Sequence, residues 1–326
     1  MQPDDTMLFA PGASEDFGRG VASELGQDLA ALETRAFEDG EHKLRPLTSV
    51  RGRDCYILHS LHGDDEQTVN DKLCRVLFFA ATLRDHGADR VTLACPYLAY
   101  ARKDRRTKTR DPVTSRYVAQ LIEAMGVDRV AVLEPHNPAA FDNAFRIPAE
   151  HLHARAPLAD ALLAHLGDSP LAVVSPDTGG AKRAAAMRHL LATRTGREPA
   201  TAFLDKHRSE GVVTGDTVAG EVAGRTAVIV DDLIAGGTTI SRAARACRER
   251  GADRVYAVVT HALFAPGAER LLQDPAVDRL FVTDSVAPRM QDLWQGRVER
   301  VPVRRLFARV IRALHGDTPV TEVLDP

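Results

Sequence analysis

The sequence predicts an α/β fold made of two domains, each with a mainly parallel central sheet. Short apolar runs of strand length alternate with longer stretches in which apolar residues recur at helical spacing, which is typical of βα units around a parallel sheet. The chain also has 326 residues, a comfortable length for two domains.

Apolar runs of the length of a buried strand are the candidate strands. They are Cys55–His59, Arg90–Cys95, Arg129–Leu133, Leu171–Ser175, Thr226–Val230, Val255–Thr260 and Arg279–Thr283. The stretches between them that repeat apolar residues at helical spacing are the candidate helices, and most of these end at a glycine. They are Val69–His86, Ser115–Met125, Ala181–Leu191 and Ile240–Arg250.

A five-residue phrase, GADRV, joins a helix to a strand at Gly87–Val91 and again at Gly251–Val255, with a near copy, GVDRV, at Gly126–Val130. A glycine just past a helix readily takes the left-handed conformation that ends it, so we interpret the phrase as a recurrent helix-to-strand turn. Two halves built on one plan would also show it. Prolines and a polar run at Ile147–Pro157 predict a boundary there, giving domains 1–150 and 151–326.

The bulk composition argues against several classes of protein. Hydrophobic residues make up 44% of the chain and charged residues 27%, as in ordinary globular proteins, and the net charge of −3 does not favour nucleic-acid or membrane binding. The N-terminus lacks the pattern of a signal peptide and no apolar stretch approaches the ~20 residues of a membrane span, so we expect a cytoplasmic protein. The cysteines are not at metal-ligand spacing and are interpreted as buried free thiols.

The strongest motif is Val228–Ile240, VIVDDLIAGGTTI, in which an apolar strand leads through two aspartates and a glycine-rich loop into a helix. The glycines let backbone N–H groups turn towards an anion, and the threonine hydroxyls and the helix N-terminus complete a phosphate cradle. The carboxylates suit the hydroxyls of a ribose. The alternative is an ordinary strand-to-helix turn with capping threonines. The predicted phosphoribose site comprises Asp231, Asp232, Ala235, Gly236, Gly237, Thr238 and Thr239.

A second motif, Pro96–Arg116, follows a candidate strand and carries six cations between Arg102 and Arg110. Such a cluster repels itself unless it faces water or a polyanion. A triphosphate is the obvious candidate, because guanidinium groups make paired contacts with phosphate. On charge alone, a solvated face or a nucleic-acid patch is the alternative. The chain has no Gly-Lys pair, which excludes a Walker-type P-loop.

These segments resemble the ribose-phosphate diphosphokinases (PRPP synthetases), which share the ribose loop with type I phosphoribosyltransferases. Pro96–Arg116 is similar to the family's P-Y-x-x-Y-A-R-x-D-R segment, and Phe37–Glu41, FEDGE, to its F-x-D-G-E segment, both of which contact ATP in the family. The resemblance runs from about Met7 to about Leu314. It implies two phosphoribosyltransferase-like domains, the first on the ATP side and the second binding ribose 5-phosphate. The ATP-binding residues it implies are Phe37, Asp39, Gly40, Glu41, Arg102, Lys103, Asp104 and Arg105.

The same resemblance implies metal and catalytic residues. His136, and Asp177 in the VSPDTGGAKR unit at Val174–Arg183, stand where the family holds Mg²⁺. Lys206 and Arg208 match the D-K-x-R segment at the root of a mobile catalytic loop, where the family stabilises the transition state. The reaction implied is transfer of a diphosphate from MgATP to the anomeric hydroxyl of ribose 5-phosphate, for nucleotide biosynthesis.

The family usually assembles as a hexamer in which Phe37–Glu41 completes a neighbour's ATP site, so the resemblance implies a homo-oligomer. Ala235 stands where aspartate is usual and Thr238 where glycine is usual, which places the chain in a divergent branch. Two other functions stay open. A regulatory, non-catalytic paralogue would fit the altered loop. A type I phosphoribosyltransferase would share the ribose loop but would have no use for FEDGE or the arginine segment.

Overall fold

The structure is a computed structural model that describes residues 6–209 and 212–324, without the side chains of 205–217. Along the chain the strands are β1 (Thr6–Phe9), β2 (Leu32–Ala36), β3 (His42–Pro46), β4 (Asp54–Leu58), β5 (Arg90–Cys95), β6 (Arg129–Leu133), β7 (Ala149–Leu152), β8 (Leu171–Ser175), β9 (Ala200–Ser209), β10 (Val212–Gly220), β11 (Thr226–Ile234), β12 (Arg254–Ala262), β13 (Arg279–Thr283) and β14 (Val298–Val301). The helices are α1 (Glu15–Leu25), α2 (Val69–Asp85), α3 (Thr114–Ala124), α4 (Pro138–Ala144), α5 (Arg155–Leu163), α6 (Ala181–Thr195), α7 (Thr238–Glu249), α8 (Glu269–Leu272), α9 (Arg304–His315) and α10 (Thr321–Leu324).

The described residues form two compact units. The first comprises 6–153, 285–287 and 303–324, and the second comprises 154–284 and 288–302. The sequence-based division gave 303–324 to the second domain, whereas α9 packs in the first unit. The reason is its apolar face, from which the ring of Phe307 lies edge-on to that of Phe17 on α1, with centroids 5.3 Å apart.

Both units are organised around a mainly parallel sheet, as predicted. In the first unit the order is β1-β4-β5-β6-β7, with every pair parallel, and β2–β3 forms a separate antiparallel pair. In the second unit the order is β10-β9-β8-β11-β12-β13-β14, and only β10 runs antiparallel to its neighbour. All the strands predicted from apolar runs are present.

The structure also bears on the cysteines and on membrane-spanning helices. Cys55, Cys95 and Cys247 are buried free thiols, as expected, but the expectation was wrong for Cys74, which lies on the exposed side of α2. None of the described helices combines the length and the apolar character that a membrane crossing requires.

The GADRV turn of the first unit is closed by one arginine and one aspartate. Gly87 has a φ of 84°, just past the end of α2. Arg84, in the last turn of α2, donates from Nη1 to the carbonyls of the two residues that follow Gly87 and to Asp128 Oδ2 at 3.1 Å. The same carboxylate oxygen accepts the N–H of Val91 at 2.7 Å, which fixes the start of β5.

The second unit repeats this arrangement. Gly251 has a φ of 82° after α7. Arg248 donates from Nη1 to the carbonyls of the two residues that follow Gly251 and from Nη2 to Asp278 Oδ2 at 2.5 Å. That oxygen accepts the N–H of Val255 at 2.7 Å. The interpretation of GADRV as a recurrent turn is confirmed, and α2–β5 in the first unit corresponds to α7–β12 in the second.

The end of α9 is attached to the first sheet through a buried carboxylate. Asp54 accepts hydrogen bonds from Arg90 Nε at 2.9 Å and Nη2 at 2.5 Å, and its Oδ2 lies 2.9 Å from Nδ1 of His315, the last residue of α9. Burial alone would raise the pKa of Asp54, but the hydrogen bonds from Arg90 and His315 lower it below its ordinary value. The carboxylate therefore stays charged and holds both partners.

We expect Gly251→Ala to lower the free energy of unfolding by about 1–2 kcal/mol, because alanine in the left-handed region carries a steric penalty. Gly251→Asn should cost less, since asparagine tolerates that conformation. An added Cβ would meet Ala223 at 3.7 Å, so neither variant introduces a clash. Urea denaturation measures both losses, and equal losses would contradict this explanation.

Candidate functional site

The arginine loop, residues 96–113, follows β5 in the first unit. Most of its cations are exposed and form no ion pair with an acid among the described residues. They are Arg102, Arg105, Arg106, Lys108 and Arg110. Like charges so close together are costly in the absence of a counter-charge, so this surface can receive a polyanion.

The carboxylate of Asp111 accepts several hydrogen bonds from within the arginine loop and so fixes its conformation. Asp111 Oδ2 accepts from Lys103 Nζ at 2.6 Å, from Thr107 N and Oγ1 at 3.1 and 2.7 Å, and from Lys108 N at 2.9 Å. These hydrogen bonds, led by that from Lys103, hold the pKa of Asp111 well below its usual range. Lys103 was predicted to bind ATP. In the structure its ammonium group donates to Asp111 and so stabilises the loop, while the arginines remain exposed to solvent.

The end of β6 meets the arginine loop. Asn137 Nδ2 donates to Asp104 Oδ2 at 2.5 Å, and Asn137 Oδ1 accepts the N–H of Ala140 in the first turn of α4 at 3.3 Å. The preceding residue, His136, is exposed. Because β5 and β6 are parallel neighbours, the predicted residues Asp104 and His136 lie at the same edge of the sheet. Asn137 was not among the predicted site residues, although an Asn-Pro pair directly after a strand signals a helix cap.

The FEDGE segment forms the tip of the hairpin that joins β2 to β3. Phe37 N donates to Glu41 O at 2.9 Å, Glu41 N donates to Asp39 Oδ1 at 3.1 Å, and Gly40 turns the chain at a φ of 91°. The tip is exposed apart from the half-buried Phe37. Within the described part of the chain, no hydrogen bond or ion pair joins this tip to the arginine loop.

In the second unit, Asp177 follows β8 and turns the chain into α6. Its Oδ1 accepts the N–H of Gly180 at 2.9 Å, and its carbonyl accepts the hydroxyl of Ser175 at 2.7 Å. Its side chain is half-buried, and no hydrogen bond to its Oδ2 is found among the described residues. A carboxylate oxygen is therefore presented at the carboxyl end of the sheet.

The neighbouring strand, β11, ends in the predicted aspartate pair. Arg183, on the first turn of α6, brings Nη1 to 3.4 Å from Asp231 Oδ1 and 3.5 Å from Asp232 Oδ1. Burial, and then repulsion from Asp232, raise the pKa of Asp231 to about 7. Arg183 belongs to the VSPDTGGAKR motif but had no predicted role, because nothing in the spacing of the motif reveals that its side chain reaches β11.

The glycine-rich loop leads from β11 into α7. Gly237 is the N-cap of α7 at a φ of 77°, and no side chain caps the helix. An added Cβ at Gly237 would lie 2.6 Å from Leu271 Cβ, so only glycine fits. Ala235 O accepts the N–H of Ala265 at 3.1 Å, which fixes the loop, and the exposed Thr238 and Thr239 open the helix. This helix N-terminus can receive an anion.

Lys206 and Arg208, the predicted catalytic residues, lie on β9. Their backbones pair with β10 across from Asp216 and Val213, and the register shifts between Val213 and Gly215. Their side chains lie outside the described residues, so the catalytic roles and the mobile loop stay predictions.

Two family models match the chain. The model described as the N-terminal domain of ribose phosphate pyrophosphokinase matches residues 6–126, and the phosphoribosyl synthetase-associated domain matches residues 209–324. Ribose-phosphate pyrophosphokinase 1 of Listeria innocua is 32% identical over 320 residues, covering 98% of this chain and 96% of its own length. The protein of the same name from Streptococcus pneumoniae is 33% identical over 325 residues, covering 98% and 97%.

A solved structure agrees with these matches. The crystal structure of phosphoribosylpyrophosphate synthetase from Mycobacterium smegmatis has a TM-score of 0.86 and 31% identity, covering 96% of this chain and 99% of that one.

The chain belongs to the ribose-phosphate pyrophosphokinase family. The predicted family, the two-domain phosphoribosyltransferase-like fold and the enzyme class are confirmed. A type I phosphoribosyltransferase is set aside, because both halves of the chain match the pyrophosphokinase family. The roles of individual site residues stay predictions.

The predicted metal ligands of this family member fit magnesium by their chemistry. Among the described residues, no group of three or more His, Cys, Asp or Glu could hold a metal ion. Magnesium typically takes one or two protein carboxylates and completes its shell with water and substrate phosphates. The open Oδ2 of Asp177 is such a ligand, and the exposed imidazole of His136 can donate a hydrogen bond to a water of the metal's shell, so a dedicated protein cage is not required.

The raised pKa of Asp231 gives a stability prediction. Between the ordinary value of 3.8 and about 7, the folded protein holds the Asp231 proton that the unfolded chain has already lost. This carboxyl therefore makes the free energy of unfolding fall as pH rises through that window. We expect Asp231→Asn to flatten this decline in urea denaturation, and an unchanged pH dependence would contradict the assigned pKa.

Proposed function

We propose that this family member is a ribose-phosphate diphosphokinase that transfers the β,γ-diphosphate of MgATP to the 1-hydroxyl of ribose 5-phosphate, giving PRPP and AMP. The observation that best supports this proposal is that one chain of this family holds two chemically distinct sites. Exposed guanidinium groups follow β5, and a buried aspartate pair with an open helix N-terminus follows β11. The first suits a triphosphate and the second a sugar phosphate.

Ribose 5-phosphate is assigned to the second unit. Its phosphate would lie against the N–H groups of Gly236–Thr239, where the uncapped N-terminus of α7 favours negative charge. Its ring hydroxyls would donate hydrogen bonds to Asp231 and Asp232. The loop is braced by Ala265 and by the contact of Gly237 with Leu271, so the site is formed before the ligand binds.

ATP is assigned to the first unit. Arg102 and Arg105 would bind the triphosphate, while Asp104 is held by Asn137 at the end of β6. Mg²⁺, when bound, would neutralise phosphate charge; His136 in the first unit and Asp177 in the second are each predicted ligands. The bracing of Lys103 by Asp111 keeps the arginine loop in shape without using the arginines.

The chemical step needs charge stabilisation rather than a covalent nucleophile. The anomeric oxygen forms a bond to the β-phosphorus, the bond from that phosphorus to the bridging oxygen of the α-phosphate breaks, and AMP leaves. The proton of the hydroxyl is released. Lys206 and Arg208 are assigned to the charge that develops on the transferring group.

Phosphorus NMR of the protein with ATP, magnesium and ribose 5-phosphate tests the reaction. We expect AMP and a sugar that carries a diphosphate on C1. Formation of ADP alone would reject the proposal. Absence of turnover would reject it too and would favour the regulatory paralogue.

We expect Lys206→Ala to lower turnover by at least ~100-fold, since it removes a cation assigned to the transition state. Arg19→Ala is the control, because exposed Arg19 pairs with Glu15 on α1, outside every proposed site. Steady-state kinetics measure both, and near-normal turnover of the Lys206 variant would exclude the assigned role.

The exposed FEDGE tip supports a homo-oligomer in which each chain contributes Phe37–Glu41 to a neighbour's ATP site. An oligomer assembled from two variants, Glu41→Gln and Lys206→Ala, tests this assembly. Where a Glu41→Gln chain provides Lys206 and a Lys206→Ala chain provides Glu41, the shared site contains neither substitution. Co-refolded variants are expected to regain activity that each lacks alone, and additive residual activities would argue against shared sites.

A further inference from the structure

The aspartate pair of β11 shares a cation from another element. Successive side chains of a strand point to opposite faces, so adjacent residues rarely share one partner. Here one nitrogen, Arg183 Nη1, lies 3.4 Å from Asp231 Oδ1 and 3.5 Å from Asp232 Oδ1. A shared cation at this place requires a local explanation.

The topology supplies that explanation. β8 pairs with β11 only as far as Ile229, opposite Val174, and then turns into α6. The last residues of β11 continue beyond this partner, and Arg183, the third residue of α6, reaches them. The bridge therefore lies where the sheet edge is no longer covered by β8.

The bridge acts against a large electrostatic cost. The side chains of Asp231 and Asp232 are only 13% and 5% exposed, and Arg183 is 15% exposed. Burial and the charge of Asp232 raise the pKa of Asp231, and Arg183 opposes both effects. Among the side chains that the structure describes, the other titratable groups at this edge include Asp177, which follows β8, and His261 on β12, opposite Leu233.

We propose that Arg183 is a positioning residue for ribose 5-phosphate: its guanidinium bridges Asp231 and Asp232 and holds their oxygens as hydrogen-bond acceptors for the ribose hydroxyls. This inference rests on the proposed function. A carboxyl group that keeps its proton becomes a donor and loses an acceptor site. Arg183 therefore acts through the aspartates and does not itself contact the sugar.

Loss of the Arg183 bridge is expected to weaken the binding of ribose 5-phosphate rather than to slow the chemical step. Arg183→Gln removes the cation but keeps a polar, shorter side chain. We expect the KM for ribose 5-phosphate to rise by about tenfold at pH 7, with kcat changed much less, because the interaction holds the ground-state ligand. The defect should shrink towards pH 9, where Asp231 loses its proton without help.

Two further variants define the role. Arg183→Lys keeps the positive charge and should restore part of the affinity. Arg188→Gln removes an arginine from the same helix that pairs with Glu198 instead, and its KM and pH profile should match the wild type. A loss of kcat without a change in KM, or a KM defect of the same size at pH 7 and pH 9, would overturn the proposal.

A measurement without substrate separates this inference from the proposed function. Carbon NMR of labelled aspartate carboxyls follows Asp231 in the ligand-free protein, and Arg183→Gln should raise its apparent pKa. An unchanged pKa overturns the bridge even if the wild type makes PRPP. A raised pKa supports the bridge even if no PRPP forms, in which case the proposed function alone fails. If the glutamine variant does not fold, Arg183→Lys carries both measurements, with a smaller shift expected.

Discussion

Two adjacent aspartates at the end of a buried strand impose the constraint around which the second unit is arranged. Neither carboxylate is favoured in its charged form without a cation, and that cation has to come from another element. Arg183 can provide it only because β8 lies beside β11 and leads directly into α6. The strand order and the site chemistry are therefore linked.

The same helix-to-strand turn organises both units. Arg84 and Arg248 each close a helix, satisfy two carbonyl groups and contact an aspartate that fixes the next strand. Since the motif is local, it appears in the sequence as GADRV. It sets where a strand begins, whereas ligand chemistry develops at the opposite end of the strand, so the two requirements do not compete.

The sequence predicted the central strands well and the peripheral elements poorly. β5, β6, β8 and β13 have the bounds predicted from their apolar runs, because they are buried along most of their length. β1, β7 and β14 were missed, since strands of four partly exposed residues carry no distinct pattern. The site motifs led to the candidate residues, whose roles stay predictions. They could not reveal that Asp111 engages Lys103 or that Arg183 meets β11, because those contacts depend on which segments become neighbours in the fold.

The corresponding positions of the two units hold different chemistry. β4 precedes α2 as β11 precedes α7, but β4 leads into buried histidines instead of aspartates and glycines. His59 Nδ1 lies 3.0 Å from Ser14 Oγ, and its burial and nearby Lys72 lower its pKa to about 3. His62 Nε2 accepts the N–H of Ala287 at 3.2 Å, and Ser60 donates to Ser285 O at 2.7 Å. Neutral, hydrogen-bonded side chains close this strand end, so in the first unit the proposed anion binding is assigned to the arginine loop after β5.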